Sequence, residues 1–393
     1  MTTNWVVKAI IVLILFKPTT SWANDIYISQ SGDNIDMTIV QDGENNVISS
    51  VAGNTRKAPI SGNNTNTTFT QTGDNNDIGV YMSAGNGQQT ITQTGNTNYA
   101  TSDCHGNNCS TTITQNGNNN LANLEFGNGG DSDQTGTITQ DGDYNAAGIE
   151  ANGDDNTFVI DQDGDNNAVG GITGAPITGN NNSLSITQNG DYMTFEGHLI
   201  GSNNSLTSFQ GGSANNSFIR VSTVGSNNTG DLRQGKRLDG NVDNNDSGNH
   251  EQYITVVGDG NTINTSQVNS NGANSDHHMS HIITGDSNTV SHEQFANNKK
   301  QGYIEITGDS NTVSLQQRNG ANHLADINLT GDDHTVTGTQ WGQGGAHNFT
   351  VDLTNSGGAY NMSTTQTSNT AQTYSLTGSC ATVGGCAVSV FQN

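Results

Sequence analysis

The feature that most constrains this chain is a short repeat built on glycine and asparagine. The pattern Gly-x-x-Asn, or a near variant with Asn one place earlier, recurs every eleven residues at Gly142, Gly153 and Gly164, and again from Gly179 to Gly212. Glutamine recurs at about twice that interval, at Gln71, Gln93, Gln115, Gln140, Gln162, Gln188 and Gln210. A fixed period of this kind is typical of architectures that stack one structural unit upon the next.

The residues between the glycines alternate between polar and apolar. Thr-Ile-Thr-Gln at 112–115 and 137–140 and Ser-Ile-Thr-Gln at 185–188 have the period of two that predicts a short β-strand with one buried face. A Gly-Asp or Gly-Asn pair then predicts a turn, because glycine adopts positive φ without steric cost and Asn and Asp tolerate the left-handed region. One unit is therefore strand, turn, strand and turn in about 22 residues.

Such a unit cannot bury its apolar face alone, so successive units are expected to stack with their backbones paired about 4.8 Å apart. The predicted fold class is all-β, a β-solenoid with about 22 to 23 residues per coil. The apolar residues expected to point inward from the first strand are Phe69, Ile91, Ile113, Ile138, Ile160 and Ile186. Those expected from the return strand are Ile78, Ala100, Ala122, Ala147 and Val169.

Only 30% of the residues are apolar, so polar side chains must fill part of the interior. Identical amides stacked in register bond from one coil to the next, which avoids the cost of about 1 to 3 kcal/mol for an unpaired buried polar group. The amides expected in these ladders are Gln71, Gln93, Gln115, Gln140, Gln162 and Gln188, with Asn76, Asn98, Asn120, Asn145 and Asn167. The expected turn glycines are Gly73, Gly95, Gly117, Gly142, Gly164 and Gly190.

The repeat divides the chain into segments. Regular repeats are predicted for residues 24–218, an irregular coil or surface excursion for 219–253, and repeats with a step near 23 for 254–345. Residues 346–393 carry weaker repeats and are predicted to be a cap that bears a disulfide. Residues 1–23 place Lys8 ahead of an apolar run and end in Ser-Trp-Ala, which predicts a cleavable secretory signal. The run is too short to span a membrane, and no later stretch could.

The cysteines form two close pairs, Cys104 with Cys109 and Cys380 with Cys386. In an exported chain this spacing favours two small-loop disulfides. A metal site is the alternative for the first pair, because His105 lies between the sulfurs.

Charge and motifs argue against several kinds of function. The formal charge of −25 disfavours nucleic-acid binding. No nucleophile elbow, phosphate-binding loop or zinc-protease motif is present, so the chain is predicted not to be an enzyme and to need no cofactor. Arg233, Lys236 and Arg237 are interpreted as a solvated loop rather than a lyase site, and the Gly-Asp turns as turn chemistry rather than calcium sites. His277, His278 and His281 are interpreted as a polar loop, and no metal site is predicted.

The pattern Gln-x-Gly-x-x-Asn on alternating strands resembles the curlin repeat of bacterial curli, the extracellular amyloid fibres of biofilms. Five segments fit it in phase, each with Gly two places and Asn five places after its Gln, beginning at Gln71, Gln93, Gln115, Gln140 and Gln162. The chain departs from the family six places before each Gln, where curlin units usually have Ser. Those places hold Thr65, Gly87, Cys109, Gln134 and Asn156.

The resemblance implies a secreted structural subunit that polymerises with itself through its edge strands and serves in biofilm matrix formation and cell adhesion. It also implies passage through an outer-membrane curli secretion pore of a Gram-negative bacterium, and growth of a cell-surface fibre from a nucleator subunit. The alternative is a capped, monomeric β-solenoid whose rows of Thr and Asn form an adhesin or an ice- or carbohydrate-binding surface. The two differ at the ends, because an exposed flat edge favours the fibre and a covered final coil favours the monomer.

Overall fold

The structure is a computed structural model that describes residues 24–26, 31–49, 60–82, 85–103, 108–126, 133–170, 176–212, 217–235, 238, 250–268, 278–295, 301–318, 323–341, 347–352, 358–366, 372–377, 380 and 385–392. The chain divides into an N-terminal unit, residues 1–184, and a C-terminal unit, residues 185–393. Every element in the described ranges is a β-strand or a turn. Those ranges contain no helix with the length and apolarity to cross a membrane.

The N-terminal unit alternates long and short strands. In chain order they are β1 (Asp25–Ile26), β2 (Asp36–Asp42), β3 (Val47–Ser49), β4 (Asn66–Thr72), β5 (Asp77–Gly79), β6 (Gln88–Thr94), β7 (Tyr99–Ala100), β8 (Ser110–Asn116), β9 (Thr135–Asp141), β10 (Glu150–Asn152), β11 (Thr157–Asp163), β12 (Ala168–Val169) and β13 (Pro176–Thr178). The long strands pair in parallel in the order β2-β4-β6-β8-β9-β11, and the short strands β1-β3-β5-β7 form a second sheet.

The C-terminal unit repeats this scheme, beginning with a strand that starts two residues before the unit boundary. Its strands are β14 (Ser183–Asn189), β15 (Thr194–Glu196), β16 (Leu199–Ile200), β17 (Ser205–Gly211), β18 (Phe218–Arg220), β19 (Thr223–Val224), β20 (Thr229–Gln234), β21 (Val256–Val257), β22 (Thr262–Val268), β23 (Thr289–Phe295), β24 (Thr312–Leu315), β25 (Leu324–Asp326), β26 (Thr335–Thr337), β27 (His347–Asp352), β28 (Tyr360–Gln366), β29 (Gln372–Thr377) and β30 (Cys386–Gln392). The long strands follow one another from β14 to β30 in parallel order.

The long strands pair in the register that places equivalent residues of successive coils side by side. In the pairing of β4 with β6, Phe69 lies beside Ile91 and Gln71 beside Gln93, and the pairing of β6 with β8 continues both columns. The predicted all-β solenoid is therefore confirmed. All eleven apolar residues expected to point inward are buried, with at most 6% of their surface exposed.

Two features differ from the simple two-strand unit. The return side is split in several coils into two short strands, such as β15 and β16 with Gly197 and His198 between them. Strands β18, β19 and β20 lie inside the segment predicted to be irregular, and β20 pairs in register with β17 and β22. The repeat was hidden there because its step lengthens to 33 residues between Gly225 and Gly258. Of residues 236–249, only Leu238 lies in the described ranges.

The last segment also continues the stack. Strand β28 pairs in parallel with β26, and β30 pairs with β28 over seven residues. Its periodicity is weak in the sequence because Tyr360 and Cys386 begin these strands at the position that Asn occupies from residue 228 to residue 311 in earlier coils of the unit. The segment predicted as a cap thus contributes further rungs.

Candidate functional site: the stacked amide ladders

The buried glutamines of the N-terminal unit form a continuous hydrogen-bonded column. Gln71 Nε2 donates to Gln93 Oε1 at 3.0 Å, and Gln93 Nε2 donates to Gln115 Oε1 at 2.9 Å. The column continues from Gln115 to Gln140 at 2.9 Å and from Gln140 to Gln162 at 2.8 Å. All five side chains are fully buried.

Gln71 and Gln93 also each tie their long strand to the return strand that precedes it in the chain. The second Nε2 hydrogen of Gln71 is donated to the Val47 carbonyl oxygen at 3.0 Å, and that of Gln93 to the Asp77 carbonyl oxygen at 3.1 Å. The amide of Gln93 therefore has both hydrogens and its oxygen bonded. A column of this kind removes the penalty for burying a polar group and adds directional bonds along the stack.

The asparagines form a second column at the turn. Asn76 Oδ1 accepts the backbone N–H of Asn98 at 3.0 Å, and Asn76 Nδ2 donates to the Gly95 carbonyl oxygen at 2.8 Å. The same pair of bonds joins Asn98 to the next coil, at 3.0 Å to Asn120 N and 2.8 Å to Gly117 O. The backbone bond repeats from Asn145 to Asn120 and from Asn167 to Asn145. Each of these asparagines therefore fixes the equivalent turn of the following coil.

The turn glycines are required both by backbone conformation and by close approach. Gly73, Gly95, Gly117, Gly142, Gly164 and Gly190 have φ between 105° and 143°. A Cβ on Gly95 would lie 2.0 Å from the Gly117 carbonyl oxygen, and one on Gly117 would lie 2.0 Å from the Gly142 carbonyl oxygen. A side chain at these positions would therefore collide with the next rung as well as strain its own backbone.

A third, exposed ladder was not expected from the sequence. The residue after the turn glycine accepts a backbone bond from the coil before it, so Asp74 N donates to Asn96 Oδ1 at 2.9 Å and Asp143 N donates to Asp165 Oδ1 at 2.7 Å. In the C-terminal unit the bond repeats from Asp259 to Asp286 and from Asp286 to Asp309, each at 2.7 Å. The Gly-Asp and Gly-Asn pairs gave the signal, which was interpreted only as turn chemistry.

The C-terminal unit carries the glutamine column as well. Gln188 Nε2 donates to Gln210 Oε1 at 2.8 Å, and Gln210 Nε2 to Gln234 Oε1 at 3.0 Å. Farther along, Gln317 Nε2 bonds Gln294 Oε1 at 2.7 Å, and Gln366 Nε2 bonds Gln392 Oε1 at 2.7 Å.

The asparagine column of the C-terminal unit lies at the other turn, just before the long strand. Asn228 N donates to Asn204 Oδ1 at 3.0 Å, and the same bond continues through Asn261, Asn288 and Asn311. His334 follows Asn311, and its Nδ1 accepts the backbone N–H of Tyr360 at 3.1 Å. Sequence reasoning missed that the asparagine column lies at different turns in the two units, because both turns carry the same Gly-x-x-Asn pattern.

The remaining predicted sites are placed as follows. Cys380 and Cys386 form a disulfide, whereas Cys104 lies outside the described residues and Cys109 is buried. Arg233 pairs with Asp231 on the outer face of β20, and Lys236 and Arg237 lie outside the described residues. His277 also lies outside them. The interpretation of His277, His278 and His281 as a polar loop is wrong for His281, which is 1% exposed in the core.

The fold and its three ladders define a class of protein: a parallel β-solenoid with an amide-bonded core. Residues 132–164 match the family model described as the curlin associated repeat, so the chain contains a curlin repeat. The match spans β9, the turn from Gly142 to Asn145, and β11. A comparison with curated proteins finds no match to this chain.

Proposed function

We propose that the protein is a secreted structural subunit of curli-like extracellular fibres, which grow as one copy adds its strands to the edge strand of another. The fibre would serve biofilm matrix formation and cell adhesion on a Gram-negative bacterium. Residues 1–23 would direct export, and the chain would then pass an outer-membrane curli secretion pore and assemble on a nucleator subunit. The curlin repeat at residues 132–164 supports this assignment.

The observation that carries the proposal is the exposure of the inward-facing residues of β30, the last long strand. Its inward-facing Val388 and Val390 are half-exposed, whereas the residues beside them on β28, Met362 and Thr364, are buried. Among the described residues no strand pairs with the outer side of β30. An uncovered parallel edge with aliphatic and amide side chains is a template for another strand.

The first long strand, β2, carries residues of the same kinds. On β2, Ile39 lies beside Phe69 of β4 and Gln41 beside Gln71. Gln41 Oε1 is buried without a hydrogen-bond partner in the described part of the chain. A strand added in register from a second copy would bring a glutamine donor to this acceptor.

The test is incubation of the purified chain without residues 1–23, followed by thioflavin fluorescence and fibre diffraction. The expected result is dye-positive fibres with a meridional reflection near 4.8 Å. A chain that stays monomeric and dye-negative contradicts the proposal. Val390→Lys, which places a charge in the inward column of β30, is expected to slow fibre growth. Ser389→Lys, which faces outward on the same strand, is the matched control.

A second candidate is a monomeric adhesin or an ice- or carbohydrate-binding solenoid, and one surface favours it. The outer face of β4, β6, β8 and β9 has threonine at the same two central positions of every strand: Thr68, Thr70, Thr90, Thr92, Thr112, Thr114, Thr137 and Thr139. Persistence of the monomer in the fibre assay, together with retention on crystalline polysaccharide or ice that Thr90→Lys abolishes, would select this candidate.

A further inference from the structure

The core of the C-terminal unit contains two histidines that face each other. His281 is 1% exposed, and His292 on β23 is fully buried. Their ring centroids lie 5.4 Å apart at an interplanar angle of 73°. Neither nitrogen of either ring has a hydrogen-bond partner in the described part of the chain. Buried polar groups are normally bonded, so four unbonded ring nitrogens in one place require an explanation.

Both histidines occupy places that are otherwise apolar or uncharged. His292 lies between Thr265 of β22 and Leu315 of β24 in the inward column of the long strand. His281 lies between Met279 and Ile283, which are buried on the same side of the coil. A Cβ on Gly302 would lie 2.2 Å from His292 Cε1, so the imidazole fills the space beside this glycine. In the described part of the chain, no acceptor lies within hydrogen-bonding distance of these nitrogens to stabilise an added proton.

In the ranges that the structure describes, no carboxylate faces the pair from the surrounding elements. Strands β22 and β24 contain no charged residue. Glu293 is adjacent to His292 on β23 and lies on the opposite face of that strand. Glu251, Tyr253, Tyr303 and Glu305 on the neighbouring coils lie at half-buried positions of the outer face, as does His278 on the same coil. His250, in the coil of β22, is also buried. Within the described ranges, His281 and His292 therefore lie next to each other in the core without a carboxylate beside them.

The physical consequence is that His281 and His292 stay unprotonated in the folded coil at a pH at which the same side chains bind protons in the unfolded chain. Burial lowers the pKa of His281 to about 3. Burial, with the nearby His281, also holds the pKa of His292 well below its ordinary value. Because the folded-state pKa is depressed for a group that is cationic when protonated, folding is undisturbed above about pH 6.5 and weakens as the pH falls below it.

We propose that the coil containing His281 and His292 is an acid-sensitive element, which opens under mildly acidic conditions and interrupts the stack inside the C-terminal unit. The described residues of the N-terminal unit contain no histidine, so its coils lack this response. The proposal does not depend on fibre formation, because the pair lies inside a single chain. Environmental acid would thereby control how much of the solenoid is folded.

The experiment is hydrogen exchange of the full chain between pH 7 and pH 4, corrected for intrinsic exchange rates. Each histidine contributes up to about tenfold per pH unit below 6.5, so protection in residues 278–295 is expected to fall by up to about a hundredfold per unit. Strands β4 to β9 serve as the internal reference. In the double variant His281→Ile, His292→Leu, which continues the neighbouring Ile304 and Leu315, this steep dependence is expected to disappear.

Two results overturn the proposal: the same pH dependence in the double variant as in the native chain, or parallel loss of protection in β4 to β9. The imidazole proton resonances of the native chain decide the matter should the double variant not fold. They are expected to stay at their neutral positions until residues 278–295 open. Titration of both rings near pH 6.5 in the folded chain contradicts the proposal.

Discussion

Asn98 and Asn120 lie one above the other in successive coils, and Asn98 Oδ1 accepts the backbone N–H of Asn120 at 3.0 Å. The same side chain donates from Nδ2 to the Gly117 carbonyl oxygen at 2.8 Å. One residue thus fixes both the spacing and the register of the following turn, and the stability of the stack should depend on it.

Asn98→Ala is expected to lower the free energy of unfolding by about 2 to 4 kcal/mol, because it leaves two buried backbone groups of the next turn without partners. Thr94→Ala, at an exposed position on the preceding strand, is the control and should change stability by less than about 0.5 kcal/mol. Urea unfolding followed by circular dichroism measures both. Equal losses in the two variants would contradict the role assigned to Asn98.

Replacing Gly95 should be far more harmful than replacing Gly170. Both have positive φ, 110° and 66°, but an alanine Cβ at Gly95 would lie 2.0 Å from the Gly117 carbonyl oxygen, whereas Gly170 has no atom within 4 Å. Gly170→Ala should cost about 1 to 2 kcal/mol from backbone strain alone. Gly95→Ala should separate adjacent rungs and exceed that cost clearly. Thermal unfolding of the two variants separates strain from collision, and similar midpoints would refute this account of the turn.

Gln93→Leu keeps the size of the side chain but interrupts the glutamine column. It leaves Gln115 Oε1 and the Asp77 carbonyl oxygen without the donors they now have, so we expect a loss of about 2 to 4 kcal/mol in the free energy of unfolding. Thr92→Val on the same strand, which faces outward, provides the comparison. A neutral effect of Gln93→Leu would show that the column contributes nothing net to stability.

Asp77 offers a test of pH dependence with the opposite sign to the histidine pair. Burial raises its pKa, so its charge destabilises the fold at neutral pH and protonation relieves the cost as the pH falls. Asp77→Asn is expected to stabilise the protein at pH 7, and the gain should vanish in acid as the native carboxyl is protonated. Asp74→Asn, at an exposed turn position, is the control. A gain that does not change with pH would point to a cause other than charge.

The disulfide should matter locally. Cys380 and Cys386 are six residues apart, and closing so short a loop is worth about 2 kcal/mol in the chain-entropy description. Cys380→Ser with Cys386→Ser is therefore expected to increase hydrogen exchange in β30 and β28 while leaving β4 to β9 unchanged. A global loss of protection would mean that this disulfide stabilises more of the chain than β28 and β30.

The fold and the glutamine column could be predicted because both follow from spacing. A residue that returns at the same point of every coil, such as Gln71 with Gln93, needs only the period to place it. The exchange of the asparagine column between turns could not be predicted, since Asn120 and Asn288 stand in the same local motif and differ only in which strand they precede. The buried histidines were also missed. Their neighbours in sequence, His278 and Glu293, are polar, and only the position of Thr265 and Leu315 above and below shows that His292 lies in the core.

The hydrogen bonds of the asparagine side chains make each coil asymmetric along the axis of the stack. Asn76, Asn98 and Asn120 direct their Oδ1 toward the coil that follows in the chain and donate from Nδ2 to a glycine carbonyl oxygen of that coil. Toward the coil before, Asn76 and Asn98 only donate, from Nδ2 to the Oδ1 of the preceding asparagine. A completed coil therefore presents its preformed asparagine Oδ1 acceptor on its C-terminal side. Folding can proceed in the direction of synthesis, because every finished coil is a template on which the next segment to emerge can pair.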